Sequence, residues 1–337
     1  MRKALLPLCF LITIAYSCSQ GTNNARLQRN TNTTSTDTSK VKPDTVKVGI
    51  YITSIHDIDF KLKEYNTNFW LWLRYKKREF DFQNNLEIPN AENFTKSYTT
   101  IDSSNGDYYM LMKIQGEMKD SWSIGNFPFD RQKMMIQFEN SQFDAKHLVF
   151  VADTLGEHYD KRFTVSGWDI DSCDLLVRTS PYESAFGDIS LAKPHMDYSN
   201  FRVRLSISRD TGGLFWKMFL GMYIAFLIAY VCFYIHADGI DSRFGLSVGA
   251  LFAVIGNKYI IDSSLPESST FTLVDTLHGI TLFFILAVIS ATAYSLKLVK
   301  EDKEKKARRF DMIAAHTLLG VYLILNVYFI YHAIKSG

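Results

Sequence analysis

The chain has 337 residues, 47% of them hydrophobic, with a formal net charge of +2. That length allows two domains, and the composition suits a soluble half joined to a membrane half better than one uniform globule. The near-balanced charge excludes the electrostatic footprint of a nucleic-acid binder, and no basic, aromatic-studded patch supplies one locally.

The first stretch, MRKALLPLCFLITIAYSCSQ, has a charged start, a short apolar run and a small residue at Ser17. Residues 1–18 therefore read as an export signal rather than a spanning helix. Two cleavage readings stand: lipoprotein-type processing at Cys18, for which Tyr16 is unusual, or ordinary cleavage near Ser17. Residues 19–44 are polar and nearly devoid of large apolar side chains, the composition of a disordered tether. Both features point to a bacterial envelope protein. Once the leader is cut and the apolar run around Cys232 set aside, the soluble region keeps only Cys173, so no disulfide framework forms within it.

Residues 45–210 are dense in short β-branched and aromatic segments such as VKVGIYITSI, NFWLWLRY, KMMIQFEN and FRVRLSISR. Gly, Asn, Asp and Ser separate them, and no amphipathic helix intervenes, which predicts an antiparallel β-sandwich. One stretch inside it is unusual: GNFPFDRQK, residues 125–133. Pro128 fixes its own φ and keeps Phe127 out of the helical region, so the segment is a loop or extended. Two phenylalanines and an aspartate there suit docking onto an apolar surface.

Residues 211–337 contain four apolar runs, at about 215–236, 242–262, 271–296 and 311–334, each long enough to cross a bilayer of roughly 30 Å. Between the last two, residues 297–309 (KLVKEDKEKKARR) hold seven basic against three acidic residues. Basic linkers stay cytoplasmic, which places the β-domain on the outer side, as the export signal also requires.

The second run carries Ser247, Asn257, Lys258 and three glycines, a composition unsuited to a lipid-facing helix. At about 100° per residue, Asp241, Gly245, Gly249, Phe252, Gly256 and Tyr259 share one stripe, while Arg243 points away from it. Five copies around an axis would give an acidic ring, a wide inner section and an aromatic constriction. Alternatively, the glycines permit tight helix packing.

The segments VGIYITSI, TNFWLWLRY, IPNAEN, FPFDRQ, SGWDI and DYSNFRVRLSISR, with SSLP closing the second apolar run, occur in the order found in one family. From about Val46 onward the chain resembles the pentameric ligand-gated ion channels, the Cys-loop receptor superfamily, and most closely its bacterial proton-gated and amine-gated members. The resemblance implies an all-β immunoglobulin-like sandwich in the periplasm, followed by an α-helical four-helix transmembrane bundle in the inner membrane. It implies that the loop of Phe127, Pro128 and Phe129 rests on the connection between the second and third membrane helices. It also implies that Asp130 pairs with Arg209, with Asp59, or its neighbour Asp57, completing the charge cluster.

Pore-lining positions follow as Asp241, Gly245, Gly249, Phe252, Gly256 and Tyr259. The implied agonist site lies between subunits, with Trp70 from one face, Phe94 and Phe143 from the other, and Tyr182, Phe186 and Tyr198 from a capping loop. The sequence departs from the family at several points. Cysteines do not flank FPFD, the first membrane helix lacks its usual proline, glycines replace inner-pore hydroxyl residues, and Ser141 stands where amine-binding members often place Trp.

The expected function is a cation-selective, ligand-gated channel subunit that forms a homopentamer and needs no cofactor. Its expected partners are an unidentified small agonist or protons, monovalent cations and membrane lipid. A non-conducting membrane sensor of the same fold is the alternative. An enzyme is not expected, because no GxSxG, HExxH, P-loop or CxxC spacing is present.

Overall fold

A computed structural model of the protein describes residues 42–336 apart from 105, 188, 190–192, 237 and 266–269. The export signal, the Cys18 reading, most of the tether and the proline of SSLP lie outside the described residues.

The first half is a sandwich of two sheets. One holds β4 (Ala91–Ser104), β5 (Asp107–Lys119), β2 (Glu64–Tyr75), β1 (Asp44–Asp59) and β7 (Leu148–Ala152), in that spatial order. The other runs β3 (Leu86–Glu87), β6 (Arg131–Asn140), β9 (Met196–Arg209) and β8 (Trp168–Tyr182). A single helical turn, α1 (Phe82–Asn85), precedes β3. Strand alternation explains the core: on β2, Tyr65, Phe69, Leu71, Leu73 and Tyr75 are buried, facing Met134, Ile136 and Phe138 of β6 and Phe201, Val203 and Leu205 of β9. Trp70 and Trp72 alternate to the outer face of β2. There Gly49 lies directly across from Trp72, and a Cβ on it would come within 2.4 Å of the indole. Only glycine fits beneath that ring.

Four long helices follow: α2 (Gly212–Val231), α3 (Ile240–Asp262), α4 (Leu273–Lys300) and α5 (Glu304–Ser336). All four are long and apolar enough to cross a membrane. The basic segment 297–309 is mostly helical. Its Lys, Arg and Glu residues are good helix formers, so α4 continues to Lys300 and α5 begins at Glu304. The turn between them is three residues long, with Asp302 in the left-handed region at φ +57°.

Candidate functional site

The end of the sandwich meets the helices at the 124–130 loop. Ile124 and Phe127 are buried in one apolar cluster with Met218 and Phe219 of α2 and Leu273, Val274 and Leu277 of α4. Pro128 is buried beside them, and its peptide bond with Phe127 is cis. Backbone joins backbone here too, since Leu273 N donates to Gly125 O at 2.8 Å. Phe129 lies 5.6 Å from Phe215, so this ring seats on the first membrane helix.

Asp130 and Arg209 meet above this contact. Arg209 donates from Nε to Asp130 Oδ1 at 2.8 Å and from Nη2 to Oδ2 at 3.2 Å, with the two side chains 10% and 2% exposed. A two-pronged guanidinium–carboxylate bond is among the stronger charge-assisted pairs, and burial removes the water that would weaken it. Gln132 closes the remaining acceptor of Asp130 at 2.6 Å and is itself fixed by Ser123, whose N–H and C=O it bonds.

The guanidinium is also boxed by rings. Its carbon lies 4.0 Å from the centroid of Trp168, 4.6 Å from Phe60 and 4.8 Å from Phe127. Phe60 and Trp168 are stacked on each other at 5.6 Å, 4° from parallel. A cation over aromatic faces is stabilised by the ring quadrupole, most when desolvated. Phe60, Trp168 and Gln132 were given no role from sequence, although Gln132 and Trp168 lie inside FPFDRQ and SGWDI. Nothing in the spacing marks them; the β8–β9 register, which pairs Trp168 with Arg209, does.

Asp59 does not complete this cluster. Its carboxylate accepts from Leu62 N at 2.8 Å, closing the β1–β2 turn, while Asp57 bonds His56 at the surface. Gln132, a neutral amide, takes the place the sequence assigned to a second acid.

A second site forms on the β6–β9–β8 sheet. Tyr182, Phe186 and Tyr198 meet edge to face, with centroids 5.5 to 6.3 Å apart, around a cavity of about 260 Å³ shared with Glu87, Glu139 and Ser141. The small Ser141 side chain leaves that room where a tryptophan would fill it. Glu139 is buried, accepts from Tyr182 Oη at 2.8 Å and Asn200 Nδ2 at 2.6 Å, and stands directly opposite Glu87 in the β3–β6 ladder. Like charges so placed repel. Burial, reinforced by the Glu139 charge, holds the Glu87 carboxyl above the usual glutamate range. The two glutamates are 52 positions apart, and only the strand register unites them.

Phe94 and Phe143 are not among the residues lining this cavity and pack, partly buried, against the sandwich core. The turn after β6, where Asn140 Oδ1 accepts from the amides of Gln142 and Phe143, swings Phe143 onto Phe80 at 5.0 Å. Trp70 stays on the other sheet, edge-on to Tyr98 and with Lys113 Nζ 5.7 Å from its ring.

Helix α3 has two faces. Arg243, Ser247, Ala250, Val254 and Ile261 are buried against the bundle. Asp241, Gly245, Gly249, Phe252, Gly256 and Tyr259 are all exposed, Phe252 and Tyr259 at 67% and 75%. A Cβ added at Gly245, Gly249 or Gly256 would meet nothing within 4 Å, so these glycines do not serve tight packing inside the chain. The polar residues that looked unsuited to lipid turn inward. Ser247 lies against Cys232, Asn257 Oδ1 lies 3.0 Å from His278 Nε2, and Lys258 bridges Asp262 and Asp275.

No family model matches the chain. A proton-gated ion channel of Gloeobacter violaceus is 24% identical to it over 310 residues, spanning 85% of this chain and 82% of its own length. A neuronal acetylcholine receptor subunit, non-alpha-2, of Carassius auratus is 22% identical over 273 residues, spanning 73% of this chain and 55% of its own length. A β-sandwich set on four membrane-length helices is the Cys-loop receptor fold. The chain is similar in sequence to these ligand-gated channels and shares the fold of the pentameric ligand-gated ion channel superfamily.

Proposed function

We propose that the protein is a ligand-gated ion channel subunit that assembles as a homopentamer in a bacterial inner membrane, with the sandwich in the periplasm. In this reading five copies of α3 line a cation-selective pore. The observation that carries the reading is the outward stripe of α3, a face with no partner inside the chain that is too polar at Asp241 to meet lipid. A ring of Asp241 carboxylates concentrates cations and repels anions, and Phe252 narrows the path midway along the helix.

Opening is driven from the Tyr182–Phe186–Tyr198 cavity. Aromatic faces, the buried Glu139 and the nearby Glu87 suit an organic cation, and a proton on Glu87 relieves the same repulsion. Trp70 would reach this ligand from the neighbouring subunit's other sheet. The boxed Asp130–Arg209 pair and the loop of Phe127, Pro128 and Phe129 couple that event to α2 and α4.

Purified protein in planar bilayers tests this directly. Acid or a primary amine should evoke currents whose reversal potential follows the cation gradient, and Asp241→Ala should shift it toward zero. An unshifted reversal potential would remove Asp241 from selectivity. Ligand binding without any current would identify a non-conducting sensor instead.

A further inference from the structure

One buried ion pair ties the start of α3 to α5. Arg243 Nη2 donates to Asp311 Oδ2 at 2.7 Å, and the two side chains are only 3% and 5% exposed. Arg243 follows Asp241 by two residues, about 200° round the helix and about 3 Å further along it. The exposed carboxylate and the buried guanidinium therefore stand back to back. We propose that Asp311 determines charge selectivity without meeting the ion: it cancels Arg243, so that Asp241 sets the sign of the path. The proposal rests on the pore reading of α3.

The pair is poorly built for stability. Arg243 Nε and Nη2 also donate to Ile235 O, yet Nη1 has no partner among the described residues, and neither has Asp311 Oδ1. Each such atom forfeits its hydration, and apolar side chains of similar volume often hold helices together as well or better. Packing alone gives no reason for two charges here. An apolar pair could replace everything except the charge balance beside Asp241.

The surroundings leave that balance to Asp311. Five copies would set five guanidinium groups behind five Asp241 carboxylates, and a field reaches farther through a low dielectric than through water. Lys305 and Arg308 on the first turns of α5 are exposed, so solvent and salt screen them. Asp238 also interacts with the Arg243 charge, but it is 70% exposed and bonded to His236. Among the described residues the ion-pair partner of Arg243 is Asp311.

The two halves of the pair are not equivalent once separated. A guanidinium keeps its charge, whereas an orphaned buried carboxyl group can neutralise itself by taking up a proton. Breaking the contact from either side loosens the same helices, yet only loss of the acid leaves a charge behind the filter.

Reversal potentials in planar bilayers under a salt gradient test this, with the full chain opened by acid or a primary amine. Asp311→Asn keeps an acceptor for Arg243 and removes only the charge. It should lower the cation-to-anion permeability ratio by about tenfold, as uncancelled cations offset the Asp241 ring. Arg243→Met should keep the wild-type ratio, and so should Arg243→Met/Asp311→Leu. Native mass spectrometry reports which variants are assembled, and Asp311→Ser, which admits water beside the guanidinium, reads the same quantity where Asp311→Asn is not. Equal shifts in Asp311→Asn and Arg243→Met would show a merely structural pair and overturn the inference. An unshifted Asp311→Asn beside a shifted Asp241→Ala would overturn it while leaving the pore reading in place. A wild type that passes no current, or an Asp241→Ala variant that selects as wild type does, would overturn the pore reading and the inference with it.

Discussion

Arg209 shows how one side chain can join two bodies. It ends β9, three residues before α2, and in the proposed coupling movement of the sandwich reaches the first membrane helix through it. Asp130 and three rings fix its head, and those rings belong to β8, the β1–β2 turn and the docking loop. Removing either charge strands the other in a nearly dry pocket, at a cost of about 3 kcal/mol. Arg209→Ala and Asp130→Ala should therefore be strongly non-additive in a double-mutant cycle on gating, and additive effects in two well-expressed variants would contradict their coupling. Arg209→Lys should fail nearly as badly as alanine, because an ammonium neither forks onto a carboxylate nor stacks flat on Trp168. Trp168→Leu should cost about 1–2 kcal/mol beyond lost packing, read as a lower thermal midpoint that Arg209→Ala masks.

At the proposed ligand cavity the carboxyl held above its ordinary range is that of Glu87. Its folded-state carboxyl binds a proton more tightly than in the unfolded chain, so between the two pKa values the native state holds more protons. Stability from this group is gained as pH falls through the raised value and lost as pH rises past it. An organic cation competes with that proton, so its apparent affinity should fall on acidification. Glu87→Gln should flatten the dependence, and titration calorimetry at stepped pH checks both. An unchanged slope in the variant would move the pH sensitivity elsewhere.

The elements show which constraints are written locally. Helix α3 was recognisable as unusual because its polar and small residues repeat at helical spacing, and the phase of its stripe follows from 3.6 residues per turn alone. Its inward face was not readable. Ser247, Asn257 and Lys258 read only as unsuited to lipid, and their partners Cys232, His278 and Asp275 sit on neighbouring helices. The Arg243–Asp311 pair spans 68 positions and has no sequence signal beyond one charge in each of two apolar runs. It makes a sharp prediction. Arg243→Ala or Asp311→Ala alone should destabilise by about 3–5 kcal/mol, while Arg243→Met with Asp311→Leu should recover most of it. Thermal unfolding in detergent checks this. A double variant no better than the singles would mean that the charges do more than satisfy each other.

Across the whole molecule, architecture was legible because strand-rich and membrane-length segments differ in composition. The docking loop was legible because proline between two phenylalanines has few other uses. Phe94 and Phe143 were ambiguous for the opposite reason: an aromatic in a β-rich segment fills a core or lines a site equally well, and only the fold decides. The glutamate pair, the ring box around Arg209 and the Gln132 brace all depend on register between distant strands.

The central claim is that the outward stripe of α3 lines an ion path closed at Phe252. Cation flux into liposomes holding the purified Phe252→Ala variant tests it without knowledge of the agonist. The account predicts flux at rest in the variant, with wild type silent until acid or an amine is added. An assembled variant that stays as tight to cations as empty liposomes would contradict it.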